Sequence, residues 1–99
     1  DVLLRLAPSP IVELNRAVAV AMRDGPQTGL TLVDNLLERG DLRQYHLAHA
    51  AKADLHRRLR QYPEAHSAYK EALQLAQQQV EKRFLQKRLE EIKANLSSR

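Results

Sequence analysis

"LRQYPEAHSAYKEALQLA", Leu59 to Ala76, is the stretch whose reading decides the fold. After a Tyr62-Pro63-Glu64 turn, Ala65, Tyr69 and Ala72 follow at steps of four and three. A helix gathers residues at that spacing on one face. The three form a notch, a knob and a second notch, against which another helix can approach closely.

Small, aromatic and small residues in this order mark the second helix of a helix-turn-helix repeat of the tetratricopeptide kind, and a repeat must recur. Shifted by 36 residues, the chain matches itself at Ala17 with Ala53, Arg16 with Lys52, Ile11 with Leu47, Gly29 with Ala65, Val33 with Tyr69 and Leu36 with Ala72. The offset is close to the ~34 residues of a tetratricopeptide unit. "LLRLAPSP", Leu3 to Pro10, reads as the tail of a further unit. With Asp1 in front of it, the expectation is a piece of a longer protein.

Composition agrees with one small all-helical domain: 99 residues, 43% hydrophobic, only 4% aromatic, with 3 Gly and 4 Pro. Leu, Ala and Val must build the core. No apolar run approaches the ~18 residues needed to span a bilayer, so no membrane association is expected. The absence of cysteine excludes disulfides and thiolate chemistry and suits a reducing cytoplasm, the expected location.

Ser9-Pro10 reads as a helix start, with the serine as cap and the proline preset for the first turn, and "IVELNRAVAVAMR" then runs to Arg23. "DGPQ" breaks it. A second helix from Pro26 carries Leu30, Val33, Leu36 and Leu37 and stops at Gly40. Asp41 is read as the cap of a third, Leu42 to about Leu59, with Leu47, Ala51, Leu55 and Leu59 at four-residue steps, and Pro63 opens a fourth. The stripe of Ala65, Tyr69, Ala72 and Ala76 would continue at 79, 83 and 86, but apolar residues fall instead at Val80, Phe84, Leu85, Leu89, Ile92 and Leu96. A break near "QQQV" and a separate capping helix follow from that slip in phase. The expected architecture is all-α, about five helices in tetratricopeptide-like antiparallel hairpins, with repeats at about 10–40 and 41–77 and a cap at 80–97 of one domain. Its predicted core includes Ala17, Val33, Leu36, Leu55, Ala65, Tyr69, Ala72 and Phe84.

The chain has no nucleophile elbow, no glycine-rich phosphate loop and no HExxH pair, so neither an enzyme nor a cofactor is expected. His46 and His49 can share a helix face, but Asp54 lies too far round the helix to join both. His56 sits about 10 Å further along the axis from His49, given the ~1.5 Å rise, so no metal site is expected. Charge is uneven. Residues 1–40 hold four basic and five acidic groups and residues 41–99 twelve and seven, a net +5 in the second part. Arg57, Arg58 and Arg60, then Lys82, Arg83, Lys87 and Arg88, are basic clusters of the kind that can follow DNA phosphate. They are interleaved with Glu81, Glu90 and Glu91, and Lys87 and Arg88 are both placed to pair with Glu91 along the helix, the pattern of a solvated face.

Three segments, "LAPSPIVELNRAVAVAMRDGPQTGL", "YHLAHAAKADLHRRLRQYPEAHSAYKEAL" and "EKRFLQKRLEEI", resemble the C-terminal tetratricopeptide-like extension of bacterial extracytoplasmic-function RNA polymerase sigma factors. The most specific part is "SPIVELNRAVAVA", with Asn15-Arg16 inside an Ala/Val helix. The resemblance implies a non-catalytic regulatory domain that contacts upstream sigma regions of the same chain or RNA polymerase, promoter DNA being bound by regions outside this stretch. The chain departs from a generic tetratricopeptide unit: His49 and Lys52 replace Trp and Leu, Gly29 replaces the first small residue, and Gln77 replaces the closing proline. Candidate interaction residues are Asn15, Arg16, Lys52, His56 and Arg57. Arg16 is open to two readings, an anchor for the upstream regions through charge-assisted hydrogen bonds or a stem laid over apolar neighbours with its head in water. A peptide-binding tetratricopeptide scaffold of unrelated origin and an accessory DNA-binding module are the alternatives.

Overall fold

A computed structural model describes residues 10–40 and 42–97, and within this range the chain forms five α-helices. They are α1 (Pro10–Asp24), α2 (Pro26–Glu38), α3 (His46–Arg58), α4 (Tyr62–Leu75) and α5 (Gln79–Ser97). The caps expected of Ser9 and Asp41, and the repeat tail at Leu3 to Ser9, lie outside the described residues.

Chain neighbours pack as antiparallel pairs, and α1 also touches α3. The hinges explain the pairing. A single residue, Gly25, separates α1 from α2 at φ 109°, left-handed space open to glycine, and Pro26 follows in the first turn of α2. Four residues on either side of that hinge, Gly29 meets Ala21 so closely that a Cβ on Gly29 would stand 2.4 Å from the Ala21 Cβ. Between α3 and α4 the reversal falls on Arg60, a non-glycine residue at φ 61°. There the Gln61 N–H donates to the His56 carbonyl at 2.9 Å and the Arg60 N–H to the Arg57 carbonyl at 3.0 Å.

Burial repeats at the 36-residue offset. Ala17 and Ala53, Gly29 and Ala65, Val33 and Tyr69, and Leu36 and Ala72 are all buried, while Ile11 and Leu47 are each 46% exposed. Equivalent positions also meet. Met22 at the end of α1 receives a contact from Arg58 at the end of α3, Nη1 to Sδ 3.3 Å. At the other end of α3, His46 pairs with Glu81 in the first turns of α5 at 2.9 Å. Thus α1, α3 and α5 form one layer and α2 and α4 the other, a slab of 52 × 31 × 20 Å.

Two apolar clusters fill the slab. Leu14, Ala17, Ala21, Leu30, Val33, Leu36, Leu42, Ala48 and Leu55 form the first, and Ala53, Ala65, Ala68, Tyr69, Ala72, Ala76, Leu85 and Ile92 the second. Helix α3 is the wall between them, giving Ala48 and Leu55 to one and Ala53 to the other.

Two sequence expectations are corrected. The third helix begins at His46 rather than Leu42, because residues 42–44 turn, with the Tyr45 N–H donating to the Leu42 carbonyl at 3.0 Å, and tuck Leu42 into the first cluster. Phe84 is not core: it is 50% exposed, and its neighbour Leu85 is 1% exposed in its place. The chain leaves the helix over Ala76 to Gln78, and α5 restarts in a phase that turns Leu85, Leu89, Ile92 and Leu96 inward. One residue is about 100° of rotation on a 3.6-residue turn, so Val80 and Phe84 are carried outward.

Candidate protein-interaction face

Seven residues line a groove of about 310 Å3 between α3 and α5: His46, Leu47 and Ala50 on one wall and Val80, Glu81, Phe84 and Leu85 on the other. Leu47, Val80 and Phe84 are large, apolar and exposed, Val80 by 75%. Contiguous apolar surface of this kind marks interaction sites when polar groups rim it. The polar rim is present. His46 and Glu81 close one end as a pair bridging the two helices. At the other, the Arg88 guanidinium lies 5.1 Å from the centre of the Phe84 ring, a cation-π contact, and also pairs with Glu91 at 3.0 Å.

On the opposite side of α3, flanked by α2 and α4, lies a larger polar groove of about 550 Å3 lined by His49, Lys52, His56, Asp34, Glu64 and Glu71 among others. This groove brings together two predicted interaction residues. Lys52 pairs with Asp34 across the α2–α3 contact at 3.2 Å, and His56, buried, shares a 2.7 Å hydrogen bond between Nδ1 and the Gln61 Oε1. His49 Nε2 hydrogen bonds the Arg43 carbonyl oxygen at 2.8 Å. Lys52, His49 and His56 are thus engaged by near neighbours.

The other predicted residues lie apart. Asn15 and Arg16 are exposed on α1, Arg16 bordering a depression with Glu13, Leu32, Asn35 and Arg39. Arg57 serves the second cluster: it pairs with Asp54, which also holds Arg58 at 3.1 Å, and hydrogen bonds the Tyr69 hydroxyl. The Asp54 contact raises the Arg57 guanidinium further above its usual range. Burial pushes the Tyr69 phenol up, the Arg57 hydrogen bond working against that shift. Arg57 and Arg58 therefore share a single carboxylate.

Leu47 and Val80 had no place among the predicted interaction residues, and Phe84 was assigned to the core. The signal was in the sequence, since Val80 and Phe84 share a helix face that excludes Leu85, Leu89 and Ile92. Two apolar stripes on one helix mean two partners, of which the fold of this chain provides one.

A family profile described as Anaphase-promoting complex subunit 5 matches residues 30–94, from α2 almost to the end of α5. An uncharacterized protein of Rhizobium meliloti (strain 1021) is 39% identical over 90 residues, which cover 91% of this chain and 21% of that relative. No solved structure matches. Among the described residues no helix is long and apolar enough to cross a membrane. With five helices in tetratricopeptide-like hairpins and a profile match over most of its length, the chain belongs to the helical-repeat family described as Anaphase-promoting complex subunit 5.

Proposed function

We propose that the chain is a non-catalytic, cytoplasmic protein-interaction module that regulates a bacterial extracytoplasmic-function sigma factor by docking on its promoter-binding regions or on RNA polymerase. The observation that carries the interaction reading is the exposed apolar groove of Leu47, Val80 and Phe84 on the layer of α1, α3 and α5. The sigma-factor part rests on the resemblance of three sequence segments, most specifically the Asn15-Arg16 pair in its Ala/Val helix. Regulation of this kind requires that the module make different contacts in the competent and incompetent states of the sigma factor, since equal contacts shift no equilibrium.

The test is run-off transcription by core RNA polymerase with the sigma factor carrying this module or lacking it. A change in promoter-specific transcript in either direction is expected, a loss identifying an activating module and a gain an inhibitory one. Identical transcription by the two forms, with no binding of this chain to core polymerase or to the sigma regions, overturns the assignment. A second reading, a helical-repeat scaffold within an unrelated multi-subunit assembly, is favoured by the profile match, whose description names a complex subunit. Co-purification with neither sigma regions nor polymerase, but with a stable heteromeric complex, would select it.

A further inference from the structure

Resting on the reading of this chain as a protein-interaction module, we infer that the groove between α3 and α5 receives an amphipathic helix whose apolar stripe is flanked by acidic residues. Charge complementarity decides the sign. Arg83 and Lys87 sit beside Phe84 on the exposed side of α5, and neither carries an ion pair among the described residues. Of the carboxylates nearest the groove, Glu91 is paired with Arg88, and Glu81 lies 2.9 Å from the His46 ring nitrogen, which offsets its charge only when the imidazole is protonated. Because α3 and α5 both begin here, their N-terminal turns add positive potential to the same place. The apolar floor therefore lies in a basic surround, and an acidic partner gains where a basic one is repelled.

The form of the occupant follows from the walls. Leu47, Ala50, Val80, Phe84 and Leu85 present apolar side chains, so a partner entering with unsatisfied backbone groups would lose their hydrogen bonds to water. A helix satisfies its own backbone. It lays side chains spaced three and four apart along a trough between two helices. At about 310 Å3 the groove takes a few anchoring side chains rather than a whole domain face. Arg88 stacked on Phe84 would meet the acidic flank while Phe84 meets the apolar stripe.

The experiment uses the whole chain and two fluorescein-labelled helical probe peptides of roughly four turns, identical in their leucine stripe, one flanked by glutamates and the other by lysines. Fluorescence anisotropy is expected to give the glutamate probe at least about tenfold tighter binding, with the advantage shrinking as salt rises toward about 1 M. Phe84→Ala should weaken that probe by about tenfold or more with the circular-dichroism melting curve unchanged, and Arg83→Glu with Lys87→Glu should erase the preference between probes. Equal affinity for the two probes overturns the inference. So does binding that ignores Phe84→Ala, or sedimentation showing that a second copy of this chain covers the groove at micromolar concentration. Core-polymerase binding that survives Phe84→Ala overturns this occupant while leaving the regulatory function standing. Probe binding with no binding to core polymerase or to the sigma regions, and with transcription unchanged by the module, supports the occupant and removes the sigma assignment.

Discussion

Tyr69 and Phe84 are the two aromatic residues whose roles separate most clearly. Tyr69 is 1% exposed and is among the largest fully buried side chains, packed in the second cluster with Ala65, Ala68, Ala72, Leu85 and Ile92, so its removal leaves a cavity in a closely packed core. Tyr69→Ala should cost about 3 kcal/mol or more through the cavity it leaves, whereas Phe84→Ala should cost less than about 1 kcal/mol, compared by urea denaturation. The same burial makes Tyr69 a source of alkaline sensitivity. Its phenol titrates above the ordinary value of 10.0 in the folded chain, so near that pH the unfolded state releases its proton first. The contribution is intact below pH about 10 and declines as pH rises from there through the folded value. Stability measured across that window should fall less steeply in Tyr69→Phe than in the wild-type chain.

At the scale of single elements, the α1–α2 hairpin is set by the approach of Gly29 to Ala17 and Ala21. A methyl at position 29 would stand 3.0 Å from the Ala17 carbonyl oxygen as well as 2.4 Å from the Ala21 Cβ, and neither atom is the end of a flexible side chain. Alanine returns about 1 kcal/mol of helix propensity over glycine, but overpacking of a close crossing costs about 1–3 kcal/mol. Gly29→Ala should therefore lower stability by about 1 kcal/mol in the same denaturation experiment. The position was legible as a departure from the generic repeat, since glycine stood where a small residue was expected; its contact distance was not. The apolar period gave the inward faces of α2 and α4 directly, through Leu30, Val33 and Leu36 and through Ala65, Tyr69 and Ala72, all of them buried. It gave less for α3 and α5. Helix α3 touches both clusters, which flattens its period and hid the start at His46, and α5 carries a second apolar stripe that periodicity alone could not assign to core or surface. For the interaction face the consequence was direct. Lys52 and His56 do share a groove, but the apolar trough on the opposite side of α3 came from residues read as core or left unassigned.

For the whole molecule, α5 is half of the second cluster. Leu85 and Ile92 are buried against Ala65, Tyr69, Ala72 and Ala76, with Leu89 and Leu96 packed beside them. A chain ending at Gln78 should expose that surface, lose helical circular-dichroism signal beyond the share of α5 itself, and elute as aggregate on size exclusion; retention of a monomeric, cooperatively melting product would contradict the two-cluster description. The shared wall of α3 bears on folding as well. Its Ala48 and Leu55 face one cluster and its Ala53 the other, while the remaining large contacts are between chain neighbours. Free energy then passes between the two halves through one helix, as between adjacent spins in a linear chain. Weakening α3 should uncouple the halves into separate melting transitions, whereas damage confined to α1 should leave the amide protons of α4 exchanging at the rate of the intact array.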